Sequence, residues 1–178
     1  GKSPLVNLIP RFYDVEKGSV LIDGVDVRDI SQETLRSKIG FVPQQAVLFS
    51  GSIDANIRFG KDDAPESEVC RAAEIAQATE FISEIDGGFA HEISQGGTNV
   101  SGGQKQRLAI ARALIRRPEV YVFDDSFSAL DFKTDAKLRA ALRQEIAEAT
   151  VLIVAQRVGT VMDADRIIVL DEGRIAGM

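Results

Sequence analysis

Apolar residues along the chain follow two rhythms. Short runs rich in valine and isoleucine stand at Val20 to Asp23, Ile39 to Val42, Val120 to Phe123, Val151 to Ala155 and Ile167 to Leu170. Continuous runs of this length predict strands, several of them buried on both faces, as in a parallel sheet. Elsewhere the spacing is helical. Val69, Ala72, Ala73 and Ala76 fall at i, i+3, i+4 and i+7, Leu108, Ala111 and Ile115 repeat one face, and Leu138, Ala141 and Leu142 do so again. Leu5 to Phe12 also reads as a helix, and Lys105 to Arg116 as an amphipathic one. Alternating strands and helices predict an α/β fold with a largely parallel sheet.

Residues 52–116 hold no convincing strand and read as an inserted α-helical lobe. The expected division is therefore a core built from residues 1–51 and 117–178, with 52–116 as a helical subdomain. Asp86 to Gly103 is loop-like, with glycines at 87, 88, 96, 97, 102 and 103, and flexibility is expected there. No internal repeat or low-complexity linker is visible.

Composition narrows the function classes. A chain of 178 residues that is 44% hydrophobic supports one domain with a real core, burying roughly two thirds of the surface its unfolded form exposes. The net charge of −6, with both signs interspersed, offers no basic stripe for phosphate neutralisation, so nucleic acid is not an expected partner. The single cysteine, Cys70, sits in a helix-period stretch and is expected to be a small buried hydrophobe. With one cysteine no disulfide forms within the chain, which suits a reducing compartment. No apolar run approaches the ~20 residues of a membrane span and no signal peptide is apparent. A membrane role is expected only through a partner or another segment.

Three segments carry candidate chemistry. The chain opens on Gly1-Lys2-Ser3, the ending of a phosphate-binding loop: a flexible glycine, a lysine for phosphate and a hydroxyl for Mg²⁺. Three residues alone mean little, but a helix follows at once, and helix N-termini supply free N–H groups to phosphate. The apolar run Val120 to Phe123 ends in Asp124-Asp125. Ligands of parallel sheets sit at the carboxyl ends of strands, so one carboxylate there holds Mg²⁺ while its neighbour faces a phosphate. Two acids leaving a strand are equally a plain strand-to-loop exit. Asn99-Val100-Ser101-Gly102-Gly103-Gln104 runs straight into a helix. Glycines admit close approach of an anion, and the helix directs its positive end at whatever binds; the bland reading is a glycine-rich helix cap.

The string VSGGQKQRLAIARAL at 100–114 resembles the signature segment of ATP-binding-cassette (ABC) proteins, and it stands about twenty residues before the acid-tipped strand. The likeness covers essentially the whole chain. IGFVPQQAVLFSGSIDANIRFG resembles that family's glutamine loop, SALD at 128–131 its D-loop, and VLIVAQRVGTV its switch segment. The resemblance implies a P-loop NTPase core and ATP with Mg²⁺ as ligands. It implies nucleotide contacts from Gly1, Lys2, Ser3, Pro4, Ser101, Gly102, Gly103, Gln104 and Asp131, and metal contacts from Ser3, Gln44 and Asp124. Gln44, Asp125 and Gln156 would be the catalytic group, and Asp131 would communicate across a dimer interface. Two such domains pair head to tail in the family, so Ser101 and its glycines are expected to serve a partner's nucleotide. The lead-in ISQGGTNVSGGQ resembles that of exporters. This implies a transmembrane domain, fused in the full-length protein, and a place at the cytoplasmic face of the cell membrane. A cassette ATPase of DNA repair would insert a long coiled coil between glutamine loop and signature, and the roughly 57 residues between Gln44 and Ser101 leave no room for one.

Departures from the family pattern matter as much as the matches. Asp125 stands where the family has glutamate, about 1.5 Å shorter in reach. A well-placed base contributes ~10²–10⁴-fold, about 3 to 5 kcal/mol of barrier, so the shortening matters. Gln156 stands at the family's histidine, and its amide donates a hydrogen bond but carries no charge. Pro4 replaces Thr or Ser and has no N–H to offer. His91, the one histidine, is expected to be an exposed loop residue. These changes resemble the weaker half of a heterodimeric exporter, supplying Lys2, Ser3, Asp124, Asp125 and Gln156 to a slow site and Ser101 to Gln104 to a partner's fast one. A homodimer with a working aspartate is the competitor, and a non-hydrolysing nucleotide clamp a further one. The family's loop continues N-terminal to Gly1, so this chain by itself is expected to bind ATP weakly and to associate.

Overall fold

The computed structural model describes all 178 residues. In chain order the elements are α1 (Lys2–Val6), β1 (Leu21–Ile22), β2 (Val25–Asp26), α2 (Gln32–Ser37), β3 (Ile39–Val42), β4 (Gly51–Ser52), α3 (Ile53–Arg58), α4 (Glu66–Ile75) and α5 (Thr79–Glu84). There follow β5 (Glu92–Ile93), α6 (Gly102–Leu114), β6 (Val120–Asp124), α7 (Phe132–Glu145), β7 (Thr150–Val154), α8 (Val158–Val161), β8 (Val169–Asp171) and β9 (Arg174–Gly177). No helix is long and apolar enough to cross a membrane.

The central sheet is parallel, in the order β3-β6-β7. Its register sets Phe123 opposite Val42 and Asp124 opposite Val154. β6 lies between the other two and is buried along almost its whole length, which is why its sequence does not alternate. On one face Phe123 and Tyr121 join α3, α4, α6 and α7 in the main core, through Ile57, Val69, Leu108, Ile110 and Leu138. On the other, Val122 packs with Val6, Val27, Leu35 and Ile39.

Side-chain caps fix where the helices begin. Ser31 accepts from the Thr34 N–H, Ser52 from that of Ala55, and Asp131 from those of Lys133 and Thr134. The Asp131 bonds, that to Thr134 foremost, hold its carboxyl below the usual aspartate range.

Several expectations require correction. α1 spans Lys2–Val6 rather than Leu5 to Phe12. Pro10 disfavours helix at the residue before it, Arg11 has a φ of 55°, and Phe12 N–H returns to Asn7 O at 3.0 Å. The run at Val20 to Asp23 yields only β1, which turns antiparallel into β2 at Asp23-Gly24, both with positive φ. That is the Asp-Gly hairpin turn, a signal stronger than the run's apolarity. β8 likewise pairs antiparallel with β9, and Ile167 and Ile168 are exposed rather than buried on two faces. β4 and β5 form a two-residue pair bracketing the helical stretch. Cys70 is exposed, because it falls off the α4 face that buries Val69, Ala72 and Ala73. His91 is half-buried: its Nδ1 lies 2.9 Å from Asp86 O and its Nε2 3.2 Å from Asn99 Nδ2. The glycine-rich loop around it is cross-linked, with Asn99 Oδ1 also accepting from the Ser94 N–H and Lys105 Nζ donating to Gly96 O.

Ile110 of α6 is fully enclosed. Ile110→Ala is expected to cost about 2–5 kcal/mol, read as a lowered urea midpoint at unchanged slope.

Candidate functional site

The parallel register brings three strand ends to one place. β3 and β7 each stop beside the end of β6, and two residues past each stop stands a glutamine: Gln44 after Val42 and Gln156 after Val154. Both point their amides at the same atom. Asp125 Oδ2 accepts from Gln44 Nε2 at 3.2 Å and from Gln156 Nε2 at 2.9 Å. Asp125 Oδ1 has no protein partner, and because no buried side-chain oxygen of the chain is unsatisfied, this atom reaches solvent although the residue is only 7% exposed. The arrangement holds one oxygen and leaves the other free as an acceptor.

The Asp125 backbone is fixed as firmly. Its N–H continues the ladder to Val154 O at 2.9 Å, and its carbonyl accepts from Ser128 Oγ at 2.8 Å. Its φ of 50° is left-handed, a conformation aspartate enters far more readily than most side chains. The next residue, Ser126, is fully buried and donates to Val42 O at 2.8 Å, tying the loop back to β3.

Asp124, 5% exposed, meets the start of the chain. Ser3, in the first turn of α1, donates to Asp124 Oδ1 at 2.9 Å, and Lys2 Nζ donates to Ala155 O at 3.0 Å, one residue before Gln156. Gly1, Lys2 and Pro4 are exposed around them. Pro4 costs α1 nothing locally, because the first four N–H groups of a helix have no intrahelical acceptor.

Ser101 to Gln104 form a separate group. Ser101 Oγ accepts from the Gln104 N–H, and Gln104 Oε1 accepts from the Ser101 N–H, a capping box at the start of α6. Ser101 and Gly102 are exposed, and no hydrogen bond joins Ser101 to Gln104 with the aspartate pair. Two features nonetheless relate the groups. A Cβ on Gly103 would stand 3.3 Å from Ala129 O, so the helix start abuts the loop that leaves Asp125. Two residues past the capping box, buried Gln106 donates to Pro43 O at 3.0 Å and anchors the chain just before Gln44. Arg112 ties that loop to α3, donating to Val47 O at 2.9 Å and to Asn56 O at 2.8 Å, and burial pushes its guanidinium down to about 10. Asp131 caps α7 and makes no hydrogen bond to either group.

The structure thus joins Lys2, Ser3, Gln44, Asp124, Asp125 and Gln156, and sets Ser101 to Gln104 and Asp131 apart. Ser126, Ser128 and Gln106 escaped the sequence reading. The only signal for them is their position, inside or directly after the motif strings. A concavity of about 860 Å³ lies at the opposite ends of β6 and β7, beside Val120 and Thr150, and no residue of the site lines it.

Residues 1–128 match the family described as ABC transporter. The chain belongs to the ABC transporter family. It is 52% identical, over 99% of its length, to an uncharacterized ABC transporter ATP-binding protein of Mycobacterium tuberculosis, of which it covers 31%. It is 42% identical over 98% of its length to the ATP-dependent lipid A-core flippase of Desulfotalea psychrophila, again covering 31% of that protein. A solved bacterial Atm1-family ABC exporter with ATP bound matches with a TM-score of 0.95 at 41% identity, over 99% of this chain and 31% of that one. The chain has the P-loop NTPase fold of ABC ATP-binding domains, and it spans about a third of the length of the curated relatives it matches.

Ser126→Ala removes one of two donors to Val42 O, the ladder bond from the Asp124 N–H remaining, and is expected to cost about 0.5–1.5 kcal/mol, read by urea unfolding.

Proposed function

We propose that this chain is the ATP-binding part of an ABC exporter, where ATP binding and hydrolysis drive substrate across a membrane. The observation that carries this reading is the convergence on Asp124 and Asp125 of Ser3, Gln44 and Gln156, from three separate segments. Lys2 and Ser3 hold the terminal phosphates. Ser3 Oγ and the Asp124 carboxylate are hard oxygen donors 2.9 Å apart, which fits Mg²⁺, an ion that takes few protein ligands and arrives with its phosphates. No group of three His, Cys, Asp or Glu side chains competes as a self-sufficient metal site. When bound, Mg²⁺ neutralises charge developing on the phosphates.

Asp125 handles the attacking water. As water oxygen bonds to the γ-phosphorus and the bond to the β-phosphate oxygen breaks, the water's proton passes to Asp125 Oδ1, the atom the protein leaves free. Gln44 and Gln156 steady the other oxygen. With an amide hydrogen of Gln156 spent on Asp125, and no charge to lend, transition-state stabilisation at this position is poor. We therefore read this as a slow site. Ser101, Gly102, Gly103 and Gln104 serve the nucleotide of a second ABC ATPase domain, a different chain in preference to a second copy, and Asp131 faces the same partner. The core of 1–51 and 117–178 carries the first role and the 52–116 lobe the second.

The likeness to a lipid A-core flippase and an Atm1-family exporter supports export, with a transmembrane domain in the same full-length protein and this part at the cytoplasmic face of the membrane. The free Asp125 oxygen also favours a rival reading, a homodimer whose shorter base works at full rate.

ATP turnover by the full-length protein, alone and then with the ABC protein encoded beside it, separates the two. The slow-site reading expects turnover only in the mixture, falling ~100-fold when Ser101→Ala is introduced in this chain. Brisk turnover by this protein alone gives the homodimer.

A further inference from the structure

A line of contacts along α7 lies outside the aspartate pair. Phe132, the first residue of α7, is 78% exposed, yet the Arg157 guanidinium lies over its ring, 5.0 Å from the centroid. Two turns on, Arg139 donates to Gly159 O at 3.1 Å and is itself held by buried Asp135 at 3.1 Å. One turn further, Arg143 pairs with Asp163. Phe132, Arg139 and Arg143 recur at helical spacing on one stripe. They grip the segment from Arg157 to Asp163, which follows Gln156 directly.

Arg157 also closes a ring with the site. Its Nη2 donates to Ser128 O at 3.3 Å, Ser128 Oγ donates to Asp125 O, and Gln156 Nε2 donates to Asp125 Oδ2. Gln156 is itself exposed, so what aims its amide at Asp125 is the backbone it shares with Arg157, which Phe132 and Ser128 hold in place. Exposed cation–π pairs are weak, so this contact adds little to fold stability and its consequence falls on geometry.

We propose that Arg157, seated on Phe132, is a positioning residue for the Gln156 amide and so for the direction of the free Asp125 oxygen. α7 then carries Asp131 and Phe132 at its start and the Gln156 segment along its side as one body, and a partner touching that start shifts the aspartate clamp. The inference rests on the reading that Asp125 handles the attacking water.

The test uses the full-length transporter with its partner, in vesicles and in excess over ATP, so that phosphate release resolves into phases by site. The phase that Asp125→Asn removes belongs to this site. Phe132→Ala and Arg157→Ala are expected to slow that phase about two- to fivefold without changing affinity for a fluorescent ATP analogue. Phe132→Tyr, which keeps the ring, retains the wild-type rate. In a Gln156→Ala background Phe132→Ala adds nothing further, as required when one residue acts through the other. An unchanged phase in Phe132→Ala, or an undiminished effect in the Gln156→Ala background, overturns the proposal while the reading of Asp125 stands. If no phase responds to Asp125→Asn, that reading fails and takes the proposal with it.

Discussion

A strand buried on both faces can present polar groups only at its ends, and this constraint governs the placement of every group around β6. Phe123 and Val122 leave no room for charge within the sheet, so the aspartates fall where the strand leaves it. Parallel pairing with β3 and β7 then brings two further strand ends to the same level. The two glutamines that reach Asp125 are each two residues beyond those ends, so the near symmetry of the clamp follows from the register. A one-residue slip of either edge strand would turn its glutamine to the opposite face. Ser126 on Val42 O and Asp125 N–H on Val154 O oppose such slips from both sides.

The same geometry gives two adjacent carboxylates different surroundings. Asp124 belongs to the strand and meets a hydroxyl at the start of α1. Asp125 lies past the strand in a left-handed conformation and meets amides. Aspartate is among the few residues enriched there, which provides a local reason for the shorter acid at a position where the family carries glutamate. The short side chain is then held at the mouth of the site by donors that brace one oxygen.

Much of this was legible in the sequence because it rests on local signals. Ile39 to Val42 and Val120 to Phe123 announce buried strands through unbroken apolar runs, Val151 to Ala155 announces a strand none of whose residues is buried, and the segment at 101–104 announces a helix start through its cap chemistry. The misreadings arose where a turn outweighed a run. Asp23-Gly24 folded one predicted strand into a hairpin, and the turn at Glu172 and Gly173 did the same near the C-terminus. Pro10 shortened α1 for a similar reason. The clamp itself lies beyond the sequence: likeness to motifs singles out Gln44 and Gln156, but that both reach one oxygen of Asp125 depends on register, and no window of the sequence contains it. The hold of Gln106 on Pro43 O is equally non-local.

In the proposed site Asp124 takes the metal and Asp125 the water, and Mn²⁺ in place of Mg²⁺ tests that division of labour. Electron paramagnetic resonance titration of the full-length protein with ATP present reads tight Mn²⁺ binding at this site. Asp124→Asn and Ser3→Ala are expected to abolish that binding while Asp125→Asn leaves it intact. Loss of Mn²⁺ in Asp125→Asn, or its retention in Asp124→Asn, would contradict the assignment of metal to one carboxylate and water to the other.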